Sequence, residues 1–127
     1  MATFAHQTSK HPTNTMPFVN FKTNKVVKIW DGIYGTLGHS EQQTFGHFTI
    51  DAGTVLPEHS HFHEQWCHIL EGELEFTVDG ETMLLTPGMT AHIPPHVPHS
   101  AVAHTQCKVI DCFTPARQDF IELEKQS

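Results

Sequence analysis

Apolar and polar residues alternate along much of the chain between positions 44 and 113, in short runs separated by turn residues. In 73–78, apolar residues alternate with acids and threonine, which is typical of a half-buried antiparallel strand. Asp79-Gly80 separates this run from 81–85 and predicts a tight hairpin. The full set of predicted strands is 44–51, 65–70, 73–78, 81–85, 89–93, 100–104 and 108–113. Many short strands at regular spacing predict an all-β protein, either an antiparallel sandwich or a small barrel.

The ends of the chain differ from this pattern. Residues 1–15 are polar and predict a flexible tail, so the sequence predicts one domain over 16–127. A chain of 127 residues suits one domain with its own core. Phe45 and Phe48 are predicted core residues, and apolar residues in 120–123 predict a short helical turn or a cover for a sheet edge.

Charge and composition exclude several classes of partner. The net charge is −7, and the stretch between Trp30 and Cys107 contains no Lys or Arg. A nucleic-acid-binding face needs clustered basic residues, so we expect no nucleic-acid partner. No apolar run reaches the ~20 residues that span a membrane, and the N-terminus lacks the apolar stretch of a secretory signal. Three cysteines cannot all pair within one chain, which favours a reduced, cytoplasmic protein.

Histidines provide the strongest chemical signal. His59, His61 and Gln65 share parity, so an extended segment would point all three to one side. His99, after the turn Pro94-Pro95, adds a fourth donor from another strand. Imidazole and amide oxygen suit one divalent transition metal, either Mn, Fe, Ni, Co or Zn. Three neutral imidazoles and an amide leave the metal's charge uncompensated, which favours a small anionic molecule as ligand.

The spacing of these residues resembles the two sequence motifs of the cupin superfamily. The first motif is matched by Gly53, His59-Ser60-His61, Gln65 and Gly72, and the second by Gly88, Pro94 and His99. The resemblance covers about residues 45–113 and implies an RmlC-like jelly-roll barrel, that is, a double-stranded β-helix. It also implies that His59, His61, Gln65 and His99 are the metal ligands.

Three positions depart from the usual cupin pattern. Gln65 stands where Glu is usual, His96 where Gly is usual and Ala103 where Asn is usual. Either Glu64 or His63 could replace Gln65 as the third ligand, although the spacing to Gly72 favours Gln65. An extended segment would point Glu64 to the opposite face, and His63 would lie in a turn.

Candidates for proton transfer lie near the predicted metal. His96 would border the pocket mouth, and His47 and His92 could face the lumen; imidazole is a side chain that can act as a base near neutrality. Asp111 is a plausible base or a partner of a metal ligand. Arg117 could contribute only if the C-terminus folds back over the pocket.

Within the cupins, the chain is similar to the small single-domain proteins that have three His and one Gln. The ending 111–120, which contains Asp111, Phe113 and Arg117, resembles the tail of the KdgF-type pectin-degradation cupins. That resemblance implies conversion of an unsaturated uronate to its linear keto form, with Asp111 and Arg117 matching tail residues of the family. It also implies a homodimer.

Three classes of function follow from these residues. The first is a Lewis-acid enzyme acting on a small anionic sugar acid or keto acid, which Gln65 favours. The second is an iron-dependent dioxygenase acting on a small aromatic or thiol substrate. The third is a non-catalytic cupin that binds a small ligand. We predict an enzyme of the first class.

Overall fold

Ten strands and one helix form the part of the chain that the computed structural model describes, residues 17–127. The flexible tail predicted for 1–15, and residue 16, lie outside these described residues. The strands are β1 (Val27–Trp30), β2 (Ile33–His39), β3 (Thr44–Ile50), β4 (Val55–His59), β5 (Glu64–Glu71), β6 (Leu74–Val78), β7 (Glu81–Leu85), β8 (Thr90–Ile93), β9 (His99–Ala103) and β10 (Cys107–Thr114). The helix is α1 (Gln118–Gln126).

The strands form two antiparallel sheets that share one core. One sheet has the order β1-β2-β3-β10-β5-β8 and the other the order β4-β9-β6-β7. Strands that are distant in sequence are neighbours in both sheets, as in a Greek-key arrangement. The predicted all-β jelly-roll barrel is therefore confirmed.

The hairpin between β6 and β7 follows the local turn chemistry. Asp79 has a φ of 51° and Gly80 a φ of 80°, and Val78 pairs with Glu81. Two central residues with positive φ define the turn that matches the twist of a two-residue hairpin. The predicted hairpin is confirmed.

The core prediction was half wrong. Phe48 is 4% exposed and packs inside, whereas Phe45 is 41% exposed on the outer face of the larger sheet. Residues three apart in a strand have opposite parity, so one strand cannot bury both of them on the same side. Within the smaller sheet, the core residues include Leu74, Phe76 and Ala101.

Gly72 permits a close approach between two chain segments. Its φ is 93°, and a Cβ atom at this position would lie 2.3 Å from the carbonyl oxygen of Gln106. A side chain here would therefore clash with the backbone that leads into β10, besides straining the left-handed conformation.

The C-terminal segment folds back onto the barrel. Before α1, the Arg117 backbone N–H donates a hydrogen bond to Thr44 Oγ1 at 2.8 Å. On α1, Phe120 is buried, and its ring centre lies 5.5 Å from that of Phe113 and 6.3 Å from that of Phe48. The terminal helix thus covers inner residues of the larger sheet.

Within residues 17–127, α1 is the only helix, and it is too short and too polar to span a membrane.

Candidate metal centre

Three histidines converge because β4 and β9 are neighbours. His59 at the end of β4 pairs with His99 at the start of β9, and His61 follows two residues after β4. The ring centres of His59 and His99 are 4.2 Å apart, and those of His61 and His99 are 4.8 Å apart. One ligand atom from each residue lies within 4.8 Å of the others. A cluster of this size can bind a single metal ion.

The hydrogen bonds of the three rings define their tautomers. Nδ1 of His59 lies 2.8 Å from the carbonyl oxygen of Pro57, that of His61 lies 3.0 Å from the His63 carbonyl, and that of His99 lies 2.9 Å from the Val97 carbonyl. A carbonyl only accepts, so each Nδ1 carries the proton and donates it. Each Nε2 of the neutral rings is then left with a free lone pair, the arrangement typical of metal-binding histidines.

His99 provides a direct test of whether the site fits a metal. The residue is 2% exposed, and its Nε2 atom is buried without a hydrogen-bond partner among the described residues. An unsatisfied buried acceptor is costly unless something binds it. A divalent cation would satisfy this lone pair, so the residues present fit a metal.

Gln65 lies beside the three-histidine cluster. Its Nε2 lies 3.3 Å from Asp111 Oδ1 and donates to it, which directs Oε1 towards His61. Gln65 Oε1 and His61 Nε2 are 3.1 Å apart. Both atoms present lone pairs, and no proton lies between them if His61 has the tautomer described above. Adjacent ligands of an octahedral ion with bonds of ~2.1 Å lie about 3 Å apart, so a shared metal explains this approach.

Glu64 and His63, the two alternatives to Gln65, lie outside the histidine cluster. The Glu64 carboxylate accepts a hydrogen bond from His92 Nε2 at 2.6 Å and points to the outer face of β5, opposite to Gln65. His63 is buried but lies outside the three-histidine cluster, and its ring packs edge-on against that of Phe113. The geometry therefore favours Gln65.

Burial and charge keep two imidazoles of the cluster neutral. Burial lowers the pKa of His99 to about 4 and, together with the charge of Arg117, lowers the pKa of His61. Because a metal binds only the neutral ring, both side chains are ready to bind at neutral pH without first losing a proton.

Asp111, on β10, lies beside Gln65. Burial raises its pKa to about 6, although hydrogen bonds from Cys67 and Gln65 and the charge of Arg117 favour the ionised form. An acid with this pKa can accept and release protons near neutrality. The sequence prediction had left its orientation open, and the structure brings Asp111 into the pocket wall.

Arg117 also reaches the pocket, because the C-terminal segment folds back. Its side chain is 12% exposed and stacks over Phe120 at 3.9 Å and over Phe113 at 4.6 Å. Asp119 accepts two hydrogen bonds from it, from Nε at 3.0 Å and from Nη2 at 2.8 Å. Asp119 therefore holds one edge of the guanidinium, and Phe113 and Phe120, whose ring planes are 89° apart, pack against it from two adjoining sides. Nη1 has no described partner.

The structure does not bring the other candidate bases together with the metal cluster. His96 is exposed with a φ of 68°, and its backbone N–H donates to the carbonyl oxygen of His61. His47 stacks on Phe21 at 4.2 Å on the outer face, and His92 pairs there with Glu64. None of these three histidines lines the pocket.

The cluster opens into a cavity of about 420 Å³ between the sheets. Volumes of this order are typical of sites for small molecules. The pocket residues to which the sequence assigns no role include Cys67 and Asp119. Parity could have indicated Cys67, because it lies two residues after Gln65 on the same strand. Asp119 lies on α1, and no strand periodicity connects it with Arg117.

Comparisons with known proteins agree with this geometry. The Cupin domain family model matches residues 46–113. The L-ectoine synthase of Thermobifida fusca is 33% identical over 98 residues, which are 76% of this chain and 67% of that protein.

Two solved structures cover nearly the whole domain. One is an RmlC-like cupin from Shewanella frigidimarina, 33% identical, with a TM-score of 0.80 over 84% of this chain and 96% of that chain. The other is KdgF from Halomonas sp., 29% identical, with a TM-score of 0.78 over 84% of this chain and 99% of that chain. The resemblance predicted from the sequence motifs is thereby confirmed.

Proposed function

Because the chain belongs to the cupin family, we propose that it is a metal-dependent enzyme acting on a small anionic sugar acid or keto acid. The observation that carries this proposal is the position of Gln65. Its amide oxygen faces His61 Nε2 at 3.1 Å, while its amide nitrogen donates to Asp111 at 3.3 Å. One side chain thus connects the candidate metal cluster with a candidate base.

The chemistry of the ligands favours an anionic substrate. When bound, a divalent metal would supply Lewis-acid catalysis by polarising a substrate oxygen. His59, His61, His99 and Gln65 are all neutral donors, so they would leave the positive charge of the ion uncompensated. A carboxylate would compensate that charge.

Asp111 is the proposed base. Its carboxylate would take a proton from the substrate, for example from the carbon beside a carbonyl, and return it later. Its pKa of about 6 makes it a stronger base than an ordinary aspartate, while it remains mostly ionised at neutral pH. The amide of Gln65 orients this carboxylate by donating to Oδ1.

Arg117 is the proposed contact for the anionic end of the substrate. Its guanidinium lines the pocket, and Nη1 remains available after Asp119 has taken Nε and Nη2. Contacts with Phe113 and Phe120 restrict the guanidinium, which reduces the entropy lost when an anion binds.

The test uses an unsaturated uronate, the sugar acid that the resemblance to KdgF-type cupins implies. Its conjugated carboxylate absorbs in the ultraviolet, and conversion to the linear keto form removes that absorption. Metal-free protein is reloaded with Zn or with Mn and is assayed without oxygen. We expect the absorption to fall faster than it does spontaneously, because Lewis-acid catalysis transfers no electron from the ion.

Asp111→Asn is the matched control for this assay. It should abolish turnover while metal content and melting temperature stay close to those of the original protein, because Asn can still accept the Gln65 hydrogen bond. Turnover that requires both iron and oxygen would support a dioxygenase instead. Stoichiometric metal and acid binding without turnover would support a non-catalytic cupin.

A further inference from the structure

Much of the pocket wall is apolar. It includes Ile29 and Ile33 from the first two strands, Phe48 from β3, Leu56 from β4, Phe76 from β6 and Leu123 from α1. These side chains come from five strands and the helix, so apolar surface lines several sides of the cavity. A ligand that fills this space must exchange water for hydrocarbon contacts.

Most polar side chains of the wall already have partners. Arg117 and Asp119 bind each other, and Asp111 binds Gln65. Outside the candidate metal ligands, Thr54, Glu58 and the indole of Trp30 are the further groups that could hydrogen-bond a ligand. A sugar acid carries several hydroxyl groups, and each one buried without a partner lowers affinity on the order of tenfold.

We infer that, among the acids of the proposed function, the pocket favours an α-keto acid with an apolar side chain over a polyhydroxylated sugar acid. This inference rests on the proposed function, since it assumes that an anionic head binds at the metal. The carboxylate and keto oxygens would face the cluster and Arg117. The side chain of the acid would lie against Phe48, Leu56 and Leu123.

A homologous series of acids tests this assignment. The series begins with pyruvate and continues with the α-keto acids in which ethyl, propyl and isobutyl replace the methyl group. Because a buried methylene contributes about fourfold in affinity, each added carbon should lower Kd by about that factor until the cavity is full. The unsaturated uronate is measured in parallel.

Binding can be followed without turnover. The chain has two tryptophans, Trp30 in the pocket wall and Trp66, which is exposed on the outer face of β5. In a Trp66→Phe background, Trp30 fluorescence reports ligand binding to the metal-loaded protein, and calorimetry gives an independent Kd.

Matched leucine variants locate the apolar contact. Leu123→Ala removes a wall side chain from α1, where alanine is a good helix former. Leu84→Ala removes an exposed leucine that does not line the pocket. The first should weaken binding of the isobutyl acid about tenfold or more and leave pyruvate nearly unchanged. The second should change neither Kd.

The outcomes separate this inference from the proposed function. Affinity that rises along the series and depends on Leu123 supports the inference. Equal affinity along the series, or tighter binding of the uronate than of every keto acid, overturns the inference and leaves the proposed function standing. Stoichiometric metal binding with no binding of any acid overturns both.

Discussion

Replacing Gln65 by glutamate tests the arrangement of the candidate metal centre most directly. The oxygen that faces His61 is kept, but the amide nitrogen that donates to Asp111 at 3.3 Å becomes an oxygen. A donor–acceptor contact would therefore become a contact between two carboxylates. Like charges at this distance cannot both remain ionised, so the pair should retain one proton.

The size of the effect follows from the distance. Two unit charges 3.3 Å apart repel by about 5 kcal/mol at an effective dielectric constant of about 20. At about 1.4 kcal/mol per pH unit, this raises the upper pKa of the pair by about 3 units or more. The pKa of Asp111 begins at about 6, so the pair in the metal-free variant should still hold its proton at pH 7.

The assay measures metal affinity and the protons exchanged with it. Competition with a chelator gives the Kd, and calorimetry in buffers of different ionisation enthalpy gives the number of protons released. Gln65→Glu should release up to one proton more than the original protein at pH 7. The double variant Gln65→Glu/Asp111→Asn lacks the second carboxylate, so it should release no extra proton and should bind metal most tightly.

The same variants should bind carboxylate ligands more weakly than the original protein, because the new carboxylate lowers the charge of the site. Two results would refute the reasoning. Weaker metal binding by the double variant, with its circular dichroism spectrum intact, would show that Gln65 is not a ligand. Equal proton release by the single and double variants would show that this side chain does not contact Asp111.

Three further predictions use separate parts of the site. His99→Ala should lose most of its metal in elemental analysis, because it removes a buried Nε2 donor; stoichiometric metal in this variant would exclude His99 as a ligand. Cys67→Ala removes a hydrogen bond that favours ionised Asp111, so the pKa of this carboxyl should rise above about 6 in infrared titration of the metal-free protein. A carboxyl whose pKa is raised by folding stabilises the fold fully at pH values below its pKa in the unfolded chain, and this stabilisation is lost as pH rises through its pKa in the folded protein. In Cys67→Ala the loss should therefore extend to higher pH than in the original protein. An unchanged pKa of Asp111 in this variant would contradict the contact with Cys67. Asp119→Asn weakens the contact that holds one edge of Arg117, so it should raise the KM for an anionic substrate several-fold while kcat and metal content stay nearly constant. Asp119→Glu should partly restore the original KM. A lower kcat at unchanged KM would argue against a positioning role for Asp119.

Local chemistry explains why much of the fold could be predicted. The Asp79-Gly80 turn requires two residues with positive φ, and this requirement is visible in the sequence. The strands β1, β2 and β4 were not among the predicted strands. In β2, Gly35 interrupts the sequence pattern of a strand. The structure shows why glycine is needed: a Cβ atom at position 35 would lie 2.1 Å from the ring of Phe48. Because this requirement comes from packing against the neighbouring strand β3, the sequence around Gly35 does not reveal it.

For the candidate site, too, some residues could be predicted from the sequence and others could not. Shared parity along one extended segment was the expected reason for His59, His61 and Gln65 to point the same way. In the structure the chain bends at 62–63 and β4 and β5 lie in different sheets, so the bend brings Gln65 beside His61. The positions of Arg117 and Asp119 depend on how the C-terminal segment returns to the barrel. Tertiary contacts determine that path, such as the hydrogen bond from the Arg117 backbone N–H to Thr44. The periodicity of the strand sequences gives no information about such contacts.

The structure also provides a physical reason for glutamine where most cupins have glutamate. A side chain at this position must present a lone pair beside His61 and a donor towards Asp111. Glutamate meets the first requirement and, when ionised, fails the second, because a carboxylate only accepts. The amide meets both requirements without adding charge. It leaves Asp111 ionisable near neutrality while the cluster keeps its attraction for anions. Under the proposed mechanism, the departure from the usual cupin pattern and the raised pKa of Asp111 are thus two parts of one arrangement.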